Sequence, residues 1–551
     1  MRNWYKSGEP WIWTTAGAVA LSLVMVYAVV WLTAARGLVH FWPKPVAEMT
    51  FTQSDGEKIR LIGEIRDKEE VAMVRLREQG YVIDSKAMFT ERYLVKLGNK
   101  DLTGVDFKWF PALMLSEFTY PRDMLAIERR EWGNFYGHLK AVKEKGQVVA
   151  EGDAAWAEAR KRLDRSNELF REGVRIEKSD IGKVNYQLER LRLRERKLEL
   201  QSRLTDTAKA EIESHREALM AQYAVLQERL DQVRADIERD SVTVETMDGQ
   251  RVDIPLAKVA DMYMPNAMNV FEKTGHYIHK FIEFIWDEPR EANTEGGIFP
   301  AIFGTVMMVL LMSVIVTPLG IMAAVYMREY AKQGPLIRVI RISVNNLAGV
   351  PSIVYGVFGL GFFVYVLGGS IDSLFFPESH PAPVFGSPGI LWASLTLAIL
   401  TLPVVIVATE EGLSRVPLSI REGSLALGAT KAETLWRTVL PMASPAMMTG
   451  LILAVARAAG EVAPLMLVGV VKLAPSLPVD GNFPFFHLER KFMHLGFHIY
   501  DVGFQSPNVE AARPLVYATA LLLVIIIVVL NLAAIRLRNR LREKMRGLEG
   551  V

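Results

Sequence analysis

Long uncharged runs of apolar residues alternate with charged segments along this chain. Six runs are long enough to cross a bilayer, which requires about 20 apolar residues. They are Trp11 to Ala35, Gly296 to Met327, Ile342 to Ile371, Ser379 to Thr409, Thr438 to Ala456 with an extension to Val471, and Pro514 to Ile535. Two helices should begin within their runs, after Gly349-Val350-Pro351 and after Ser387-Pro388-Gly389. The pattern predicts an all-α polytopic membrane protein with six transmembrane helices.

The first run has a second interpretation as a signal peptide, because Arg2 and Lys6 precede it. The apolar region of a signal peptide is only about 7–15 residues long, and this run is longer. We therefore expect a retained transmembrane helix.

The charges of the short loops predict the orientation. The link from Arg328 to Arg341 and the tail after Ile535 are rich in Arg and Lys, which is typical of cytoplasmic loops. The link between the third and fourth runs carries Asp372 and Glu378 and neither Lys nor Arg, so it should lie outside. Residues 1–36 then form a cytoplasmic N-terminus and the first helix, and residues 541–551 form a cytoplasmic tail. Residues 37–295 must be external, and periplasmic in a Gram-negative cell.

Composition supports a membrane protein with a large hydrated part. Of 551 residues, 50% are hydrophobic and 23% are charged, and the mean hydropathy is only +0.16. The charges must therefore be segregated from the apolar runs. The net charge of +2 argues against a nucleic-acid partner. The absence of Cys excludes disulfides, thiolate nucleophiles and Cys-ligated metals.

The external region 37–295 predicts an inserted α+β domain. Residues 45–115 are β-rich, with a hairpin signal at Asp55-Gly56. Apolar residues at four-three spacing predict a coiled coil at about 183–240. One long helix and an antiparallel hairpin turning near Thr205-Asp206 both satisfy this pattern, and the hairpin is preferred because it buries the seam within one chain. The region serves either as a structural spacer and assembly surface or as a docking site for a binding protein or another subunit.

Arg457 and Glu461 interrupt the fifth apolar run. An ionisable group inside a bilayer costs a few kcal/mol or more, so it usually faces a bundle interior or a pathway. A spacing of four places both side chains on one helical face. The pair is either a self-neutralising structural contact or a site in which Arg457 donates to an anion while Glu461 orients it.

Several segments resemble one transporter family. The order Glu-small-small, three residues, Gly, eleven residues and Leu-Pro in Glu422 to Pro441 resembles the cytoplasmic coupling loop of ABC importer permeases. Arg457-Ala-Ala-Gly-Glu-Val-Ala-Pro-Leu465 resembles the Arg-Ala-x-Gly-Glu-Thr-Ala-Pro signature of phosphate-specific (Pst-type) ABC permeases. Ala348 to Gly359 and Gly320 to Tyr330 resemble neighbouring helices of that family. The resemblance covers about residues 296–540, favours the A-type subunit over its C-type partner, and extends to long forms that carry an added external domain.

The resemblance implies a type I ABC importer permease core of five transmembrane helices in residues 296–540. Arg457 would be the phosphate-pathway arginine and Glu461 its partner. The coupling helix would carry four residues that enter the ATPase groove, namely Glu422, Gly423, Ala426 and Gly428. The sequence departs from the family where Gly423-Ser424 replaces Ala-Ala and where Val462 replaces Thr.

The expected partners are two copies of an ABC ATPase, a second homologous permease of the C type and a periplasmic phosphate-binding protein. The sequence has no G-x-x-x-x-G-K-[ST] motif, so ATP should be hydrolysed by the partner. We expect no catalytic residue, no cofactor and no metal site in this chain.

Two other functions fit parts of the sequence. One is an ABC permease for another oxyanion, such as phosphonate, molybdate or sulfate, and the other is a membrane-anchored coiled-coil scaffold in signalling. An enzyme is least expected. His487, His494 and His498 lie near Glu489 and Asp501 in the last external loop, but their spacing fits no tight ligand motif. We therefore expect solvated loop histidines there and assign them no site.

Overall fold

The computed structural model describes residues 8–81, 87–290, 295–506 and 509–549. The chain forms two compact units, one made of Met1–His40 with Ile298–Val551 and the other of Phe41–Gly297. The six predicted membrane crossings are confirmed as helices of sufficient length and hydropathy. Their spans are Glu9–Phe41, Phe299–Tyr330, Ser352–Phe375, Ile390–Ser414, Lys431–Gly460 and Ala512–Arg540.

The regular elements follow in chain order. The helices are α1 Glu9–Leu38, α2 Met73–Glu78, α3 Lys100–Thr103, α4 Asp153–Arg175, α5 Gly182–Leu200, α6 Asp206–Glu238, α7 Val270–Trp286, α8 Phe299–Val325, α9 Pro335–Leu347, α10 Ser352–Phe358, α11 Gly369–Phe375, α12 Ile390–Ser414, α13 Leu418–Ala426, α14 Lys431–Thr434, α15 Leu440–Gly460, α16 Leu465–Val468, α17 Leu495–Tyr500 and α18 Val509–Glu549. The strands are β1 Val46–Thr52, β2 Lys58–Ala72, β3 Phe89–Lys96, β4 Phe107–Pro111, β5 Leu115–Thr119, β6 Met124–Arg129, β7 Asn134–Glu144, β8 Gln147–Glu151, β9 Asp240–Glu245, β10 Arg251–Pro255, β11 Val259–Tyr263, β12 Pro289–Arg290 and β13 Glu295–Gly296. Segments of π-helix continue several helices, at Ile176–Ile181, Tyr326–Tyr330, Gly359–Gly368, Leu435–Val439 and Asp501–Gln505.

Proline and glycine set the ends of the spanning helices. Helix α10 begins directly after Pro351 and α12 directly after Gly389, as the sequence predicted. Two boundaries differ from the apolar runs. The start of the third run belongs to the separate amphipathic helix α9, and the fifth helix ends at Gly460 rather than continuing to Val471. Gly460 weakens the last turn and Pro464 disfavours helical backbone before it, so the chain leaves the helix there.

Helices α8, α12 and α15 pack around one apolar core that includes Met312 and Leu397. Glycines allow the close approach of these helices. A Cβ atom on Gly320 would lie 2.6 Å from a methyl of Val405, and one on Gly450 would lie 2.6 Å from Cβ of Ala408. Small residues at such crossings are typical of helix packing in membranes.

The N-terminal helix α1 packs against α18 at the other end of the sequence. A Cβ on Gly37 would lie 2.6 Å from the backbone nitrogen of Ala518, and the Arg36 guanidinium lies 5.7 Å from the ring centre of Tyr517. Most other side chains of α1 are apolar and exposed, as on a lipid-facing helix. The N-terminal helix is thus a packed member of the helical unit.

The other unit contains two antiparallel sheets, which confirms an inserted α+β domain. The first sheet has the strand order β4-β3-β2-β1-β5. The second has the order β10-β9-β7-β6-β11, with β8 pairing beside β7. Strands β1, β2, β3, β4 and β5 therefore correspond in order and pairing to β6, β7, β9, β10 and β11. The unit is built from one five-stranded arrangement used twice.

The two sheets also agree in register. Gly63 of β2 pairs with Ala47, and Gly137 of β7 pairs with Leu125 at the corresponding place. A Cβ on either glycine would lie 2.5 Å from a carbonyl oxygen of the next strand. Each sheet has a bulge three residues after this glycine, at Arg66 and at Lys140. In each sheet a 3₁₀ turn follows the proline that ends the fourth strand of the repeat.

Equivalent positions of the two sheets meet in one buried cluster. Val46 and Ile62 come from the first sheet, and their counterparts Met124 and Tyr136 come from the second. The Tyr136 hydroxyl donates to Glu64 Oε1 at 2.8 Å, so this buried polar group has a partner.

A long helical hairpin is inserted between β8 and β9. Helices α4 and α5 run continuously through the π-helical segment Ile176–Ile181, and α6 returns after a break at residues 201–205. Arg229 pairs with Glu172 and Arg216 with Glu195, which fixes an antiparallel arrangement. The structure thus has the hairpin rather than one long helix. Coiled-coil packing of this segment stays a prediction.

Candidate functional site

Arg457 lies in the last turn of α15, where a positive charge is favoured by the partial negative charge of a helix C-terminus. Its Nε lies 3.6 Å from Glu461 Oε1, and the two side chains are 33% and 22% exposed. The expectation that both residues share one helical face is wrong, because the helix ends at Gly460 and Glu461 has extended backbone. The carboxylate reaches the guanidinium from outside the helix.

Small buried residues and one tyrosine surround the pair. Ala454 and Ala458 are buried one turn before Arg457 and beside it. Arg457 is close enough to the buried Tyr355 of α10 to act on it electrostatically. The Tyr355 hydroxyl donates to the carbonyl of Leu347 at 2.7 Å. In the sequence, the segment Ala348 to Gly359 was noted only for its resemblance to the family. Nothing in the spacing of its residues indicated that Tyr355 would approach Arg457.

The Arg457 guanidinium keeps unused donors. A separation of 3.6 Å exceeds the usual hydrogen-bond range of about 2.7–3.2 Å, and with every described residue considered the side chain forms no hydrogen bond. A guanidinium has five N–H donors in a planar fork, which matches the oxygens of carboxylates and phosphates. The arrangement can therefore bind an oxyanion without first breaking a strong internal contact.

The coupling segment folds as a helix, a tight turn and a second helix. Helix α13 ends in a Schellman turn, in which the amide of Ala429 donates to Ser424 at 3.2 Å and that of Gly428 to Leu425 at 3.0 Å. Gly428 has φ of 88°, the left-handed conformation that this turn requires and glycine adopts without strain. A capping box between Thr430 and Glu433 then starts α14.

All four predicted coupling residues are exposed, namely Glu422, Gly423, Ala426 and Gly428. Leu427, directly before the glycine, is 91% exposed. A leucine so exposed at the tip of a turn contributes nothing to this chain's own core. The geometry makes the turn available to another protein.

Glu329 connects the coupling segment to α8 and was missed in the sequence, where it counted only as a loop charge. Its carboxylate accepts from Arg421 at 2.6 Å, and its backbone carbonyl accepts from the Lys431 ammonium. Arg421 also donates to the carbonyl of Leu413 at 2.6 Å. Glu329 lies in the π-helical segment Tyr326–Tyr330, a helix irregularity that often marks functional sites.

The histidines between the fifth and sixth spanning helices are buried, so the expectation of solvated side chains is wrong. His487, His494 and His498 are each at most 2% exposed. Burial lowers the pKa of His494 to about 4, and burial lowers that of His498 to about 4 against the opposing effect of Asp501. The residues from 465 to 505 fold back on the helices, where the amide of Leu495 donates to Thr305 Oγ1 at 2.9 Å. In the part of the chain that the structure describes, no group of three or more His, Asp or Glu side chains could hold a metal ion.

A bundle of spanning helices that exposes an amphipathic turn, in a chain without a nucleotide-binding loop, has the features of the permease subunit of an ABC importer. Comparison with known proteins supports this class. Residues 316–547 match the family described as "Binding-protein-dependent transport system inner membrane component".

Three relatives are each similar to part of the chain. PstA 1, the phosphate transport system permease protein of Mycobacterium tuberculosis (strain CDC 1551 / Oshkosh), is 36% identical over 244 residues, which are 44% of this chain and 71% of that protein. PstA of Mycobacterium leprae is 39% identical over 34% of this chain and 56% of its own length. PstA of Yersinia pestis is 33% identical over 45% of this chain and 74% of its own length. The chain belongs to the family of binding-protein-dependent ABC transporter permeases and is a PstA-like member of it.

Proposed function

We propose that this chain is the A-type permease subunit of an ATP-driven importer of inorganic phosphate. It moves the anion by alternating access and is coupled to a separate ATPase subunit. Family membership supports the importer, and the phosphate transport named for its relatives supports the solute. The observation that carries the proposal is the partly exposed Arg457 guanidinium, which has one distant carboxylate partner and free donors.

Phosphate and Glu461 compete for Arg457 in this mechanism. Without the anion, Glu461 compensates the charge of Arg457, because an uncompensated charge in a bundle is costly. With the anion present, two parallel N–H···O bonds from the guanidinium replace the weak contact. The nearby carboxylate also limits the residence of the anion, so the site releases phosphate after each change of access.

The exposed turn transmits the movement of the ATPase. Glu422, Gly423, Ala426 and Gly428 would dock in a groove of the ATPase, with Leu427 as the apolar contact. Closure of two ATPase copies around ATP would displace α13. Glu329 would pass this displacement to α8, because it is bonded to residues on both sides of the turn.

The partners and topology complete the proposal. Besides the two ATPase copies, a PstC-like second permease forms the other half of the pathway, and a periplasmic phosphate-binding protein delivers the anion. The protein lies in the bacterial inner membrane, with both termini in the cytoplasm and residues 37–295 in the periplasm. The basic segments after α8 and within α18 support this orientation.

Reconstitution tests the proposal. The purified assembly with its binding protein is placed in lipid vesicles, and ATP-dependent uptake of phosphate is measured against sulfate, molybdate and phosphonate. Arg457→Gln should lose most uptake, and Arg457→Lys should be intermediate because an ammonium keeps the charge but not the fork.

Arg415→Gln is the matched control, because Arg415 pairs with Glu411 at the same spacing of four in an exposed position. Its uptake should equal that of the wild type. Normal uptake by Arg457→Gln would return the Arg457–Glu461 pair to a structural role. Equal transport of another oxyanion would remove the assignment to phosphate and favour the alternative permease.

A further inference from the structure

Helix α7 carries a row of exposed apolar side chains. Phe271, Ile278, Ile282 and Trp286 are each more than half exposed. Their spacing of seven, four and four places them along one stripe that runs the length of the helix. Contiguous exposed apolar surface of this kind marks an interaction site in a soluble domain.

The opposite face of α7 is firmly packed. Phe284 is buried, and the Lys280 ammonium contacts three carboxylates of its unit within 3.1 Å. The first turn is closed by a capping box, in which Asn269 accepts from the amide of Glu272 and Glu272 accepts from that of Asn269. The helix is therefore formed and held independently of whatever meets the exposed stripe.

Both ends of this helix connect to spanning segments through short stretches of chain. Phe41, only three residues after α1 ends at Leu38, packs its ring on Phe281 at 5.5 Å and on Phe284 at 5.0 Å. Two residues, Val39 and His40, therefore separate the end of α1 from a residue that packs on α7. The other end of α7 is also near a spanning segment in sequence, since α8 begins at Phe299.

We propose that α7 lies in the membrane–water interface, with Phe271, Ile278, Ile282 and Trp286 inserted between the lipids of the adjacent leaflet. An interfacial helix of this type presents aromatic and aliphatic residues to the acyl boundary and lies in the plane of the bilayer. Phe271 and Trp286 at the two ends provide aromatic anchors, for which the interface is the preferred depth.

Site-directed spin labelling tests this proposal on the full chain in phospholipid nanodiscs. The chain contains no cysteine, so a single introduced cysteine receives the label alone. The test variants are Ile278→Cys and, toward the end of the stripe, Trp286→Cys. Val29→Cys on α1 is the lipid-exposed reference, and Val225→Cys on α6 is the water-exposed reference of similar exposure.

Collision rates with oxygen and with a nickel chelate distinguish the environments. Labels at 278 and 286 should collide preferentially with oxygen, as at 29, whereas the label at 225 should collide with nickel. Nickel access at 278 and 286 equal to that at 225 would overturn the proposal. Protection from both reagents would also overturn it, because the stripe would then be covered by a protein. The readout does not involve transport, so its outcome is independent of the proposed solute.

Discussion

Lys280 in the unit that contains the two sheets and Arg457 in the helical unit are both basic residues close to carboxylates, but they differ in how fully their charges are compensated. The Lys280 ammonium lies 2.8 Å from Glu128, 3.1 Å from Asp261 and 2.9 Å from Glu283. Arg457 has one carboxylate partner, Glu461, at 3.6 Å. The N–H donors of the Lys280 ammonium are thus occupied by carboxylates, whereas those of the Arg457 guanidinium remain available.

The difference separates a structural ion cluster from a binding site. A charge removed from water must be compensated, and three short contacts achieve this for Lys280. Arg457 has less compensation from carboxylates, which leaves it with affinity for an added anion. The number and length of the contacts, rather than the presence of a salt bridge, indicates which group binds a ligand.

The largest expected effect is on the structural cluster. Lys280→Met leaves three carboxylates without this shared cation and should destabilise the sheet-containing unit by about 3–5 kcal/mol. Hydrogen–deuterium exchange of the full protein in nanodiscs measures this as faster exchange in β6, which contains Glu128. Lys178→Met removes an exposed pair with Glu288 and should change exchange very little. Equal protection in both variants would contradict a structural role for Lys280.

A pH dependence sharpens the same contrast. Burial alone raises the pKa of Glu128, but Lys280 and Arg290 outweigh it and hold that pKa at about 2, below its ordinary value of 4.5. The stabilisation is complete above pH 4.5 and is lost as the pH falls toward 2, with a total of roughly 3 kcal/mol. The melting temperature of the sheet-containing unit should fall across this window. In Lys280→Met the fall should be smaller, because Glu128 has lost the first of the two cations that lower its pKa, while Arg290 remains and Asp240 and Asp253 keep their own lowered pKa values.

Exchanging the charges tests whether the Arg457–Glu461 pair acts as a pair or as an anion site. The double variant Arg457→Glu with Glu461→Arg keeps both charges but moves the guanidinium off the helix. Uptake should fall roughly ten- to a hundredfold, which corresponds to the loss of about 1.5–3 kcal/mol in charged hydrogen bonds. The melting temperature should stay near that of the wild type. Restored uptake in this variant would show that only pairing matters.

The exposed turn is expected to respond to backbone conformation. Gly428→Val places a β-branched residue at φ of 88°, at a cost of about 1–2 kcal/mol, and should reduce ATP-dependent uptake. Gly428→Asn should retain more uptake, because Asn tolerates the left-handed conformation. Co-purification of the ATPase measures docking in both variants. Similar docking and uptake for Val and Asn would exclude a role for the turn geometry.

The smallest effect concerns the link from the turn to α8. Glu329→Gln keeps a hydrogen-bond acceptor for Arg421 but removes the charge, a change of about 1 kcal/mol. Uptake per ATP hydrolysed should fall modestly while ATPase binding stays normal. Glu411→Gln, at the exposed pair with Arg415, is the matched control. A loss of ATPase binding in Glu329→Gln would mean that Glu329 supports docking instead of transmission.

The hydrophobic pattern predicted the membrane helices well because spanning a bilayer demands long apolar runs. Starts marked by proline and glycine, as at Ser352 and Ile390, agreed with the structure. The end of the fifth helix did not, because the apolar run continues beyond the backbone break at Glu461. Apolar composition reports the environment of a segment and does not report its backbone conformation.

Contacts between residues far apart in the chain could not be predicted from the sequence. The approach of Tyr355 to Arg457 and of Arg421 to Glu329 depends on how separate helices pack. The histidines were misjudged because their loop folds back on the helices, which no local pattern reveals. The double sheet had one faint signal, a proline followed ten residues later by another, at Pro111 with Pro121 and at Pro255 with Pro265.

The two repeated sheets have the same strand order and pairing but differ in the length of one connection. Residues 73–88 join the second and third strands of one copy, whereas residues 145–239, with the whole helical hairpin, join those of the other. The scaffold therefore tolerates very different chain lengths at this connection while each strand keeps its partner. The helical hairpin is attached to one of the two repeated sheets alone. It therefore makes the two otherwise similar halves of this unit distinguishable to a neighbouring molecule.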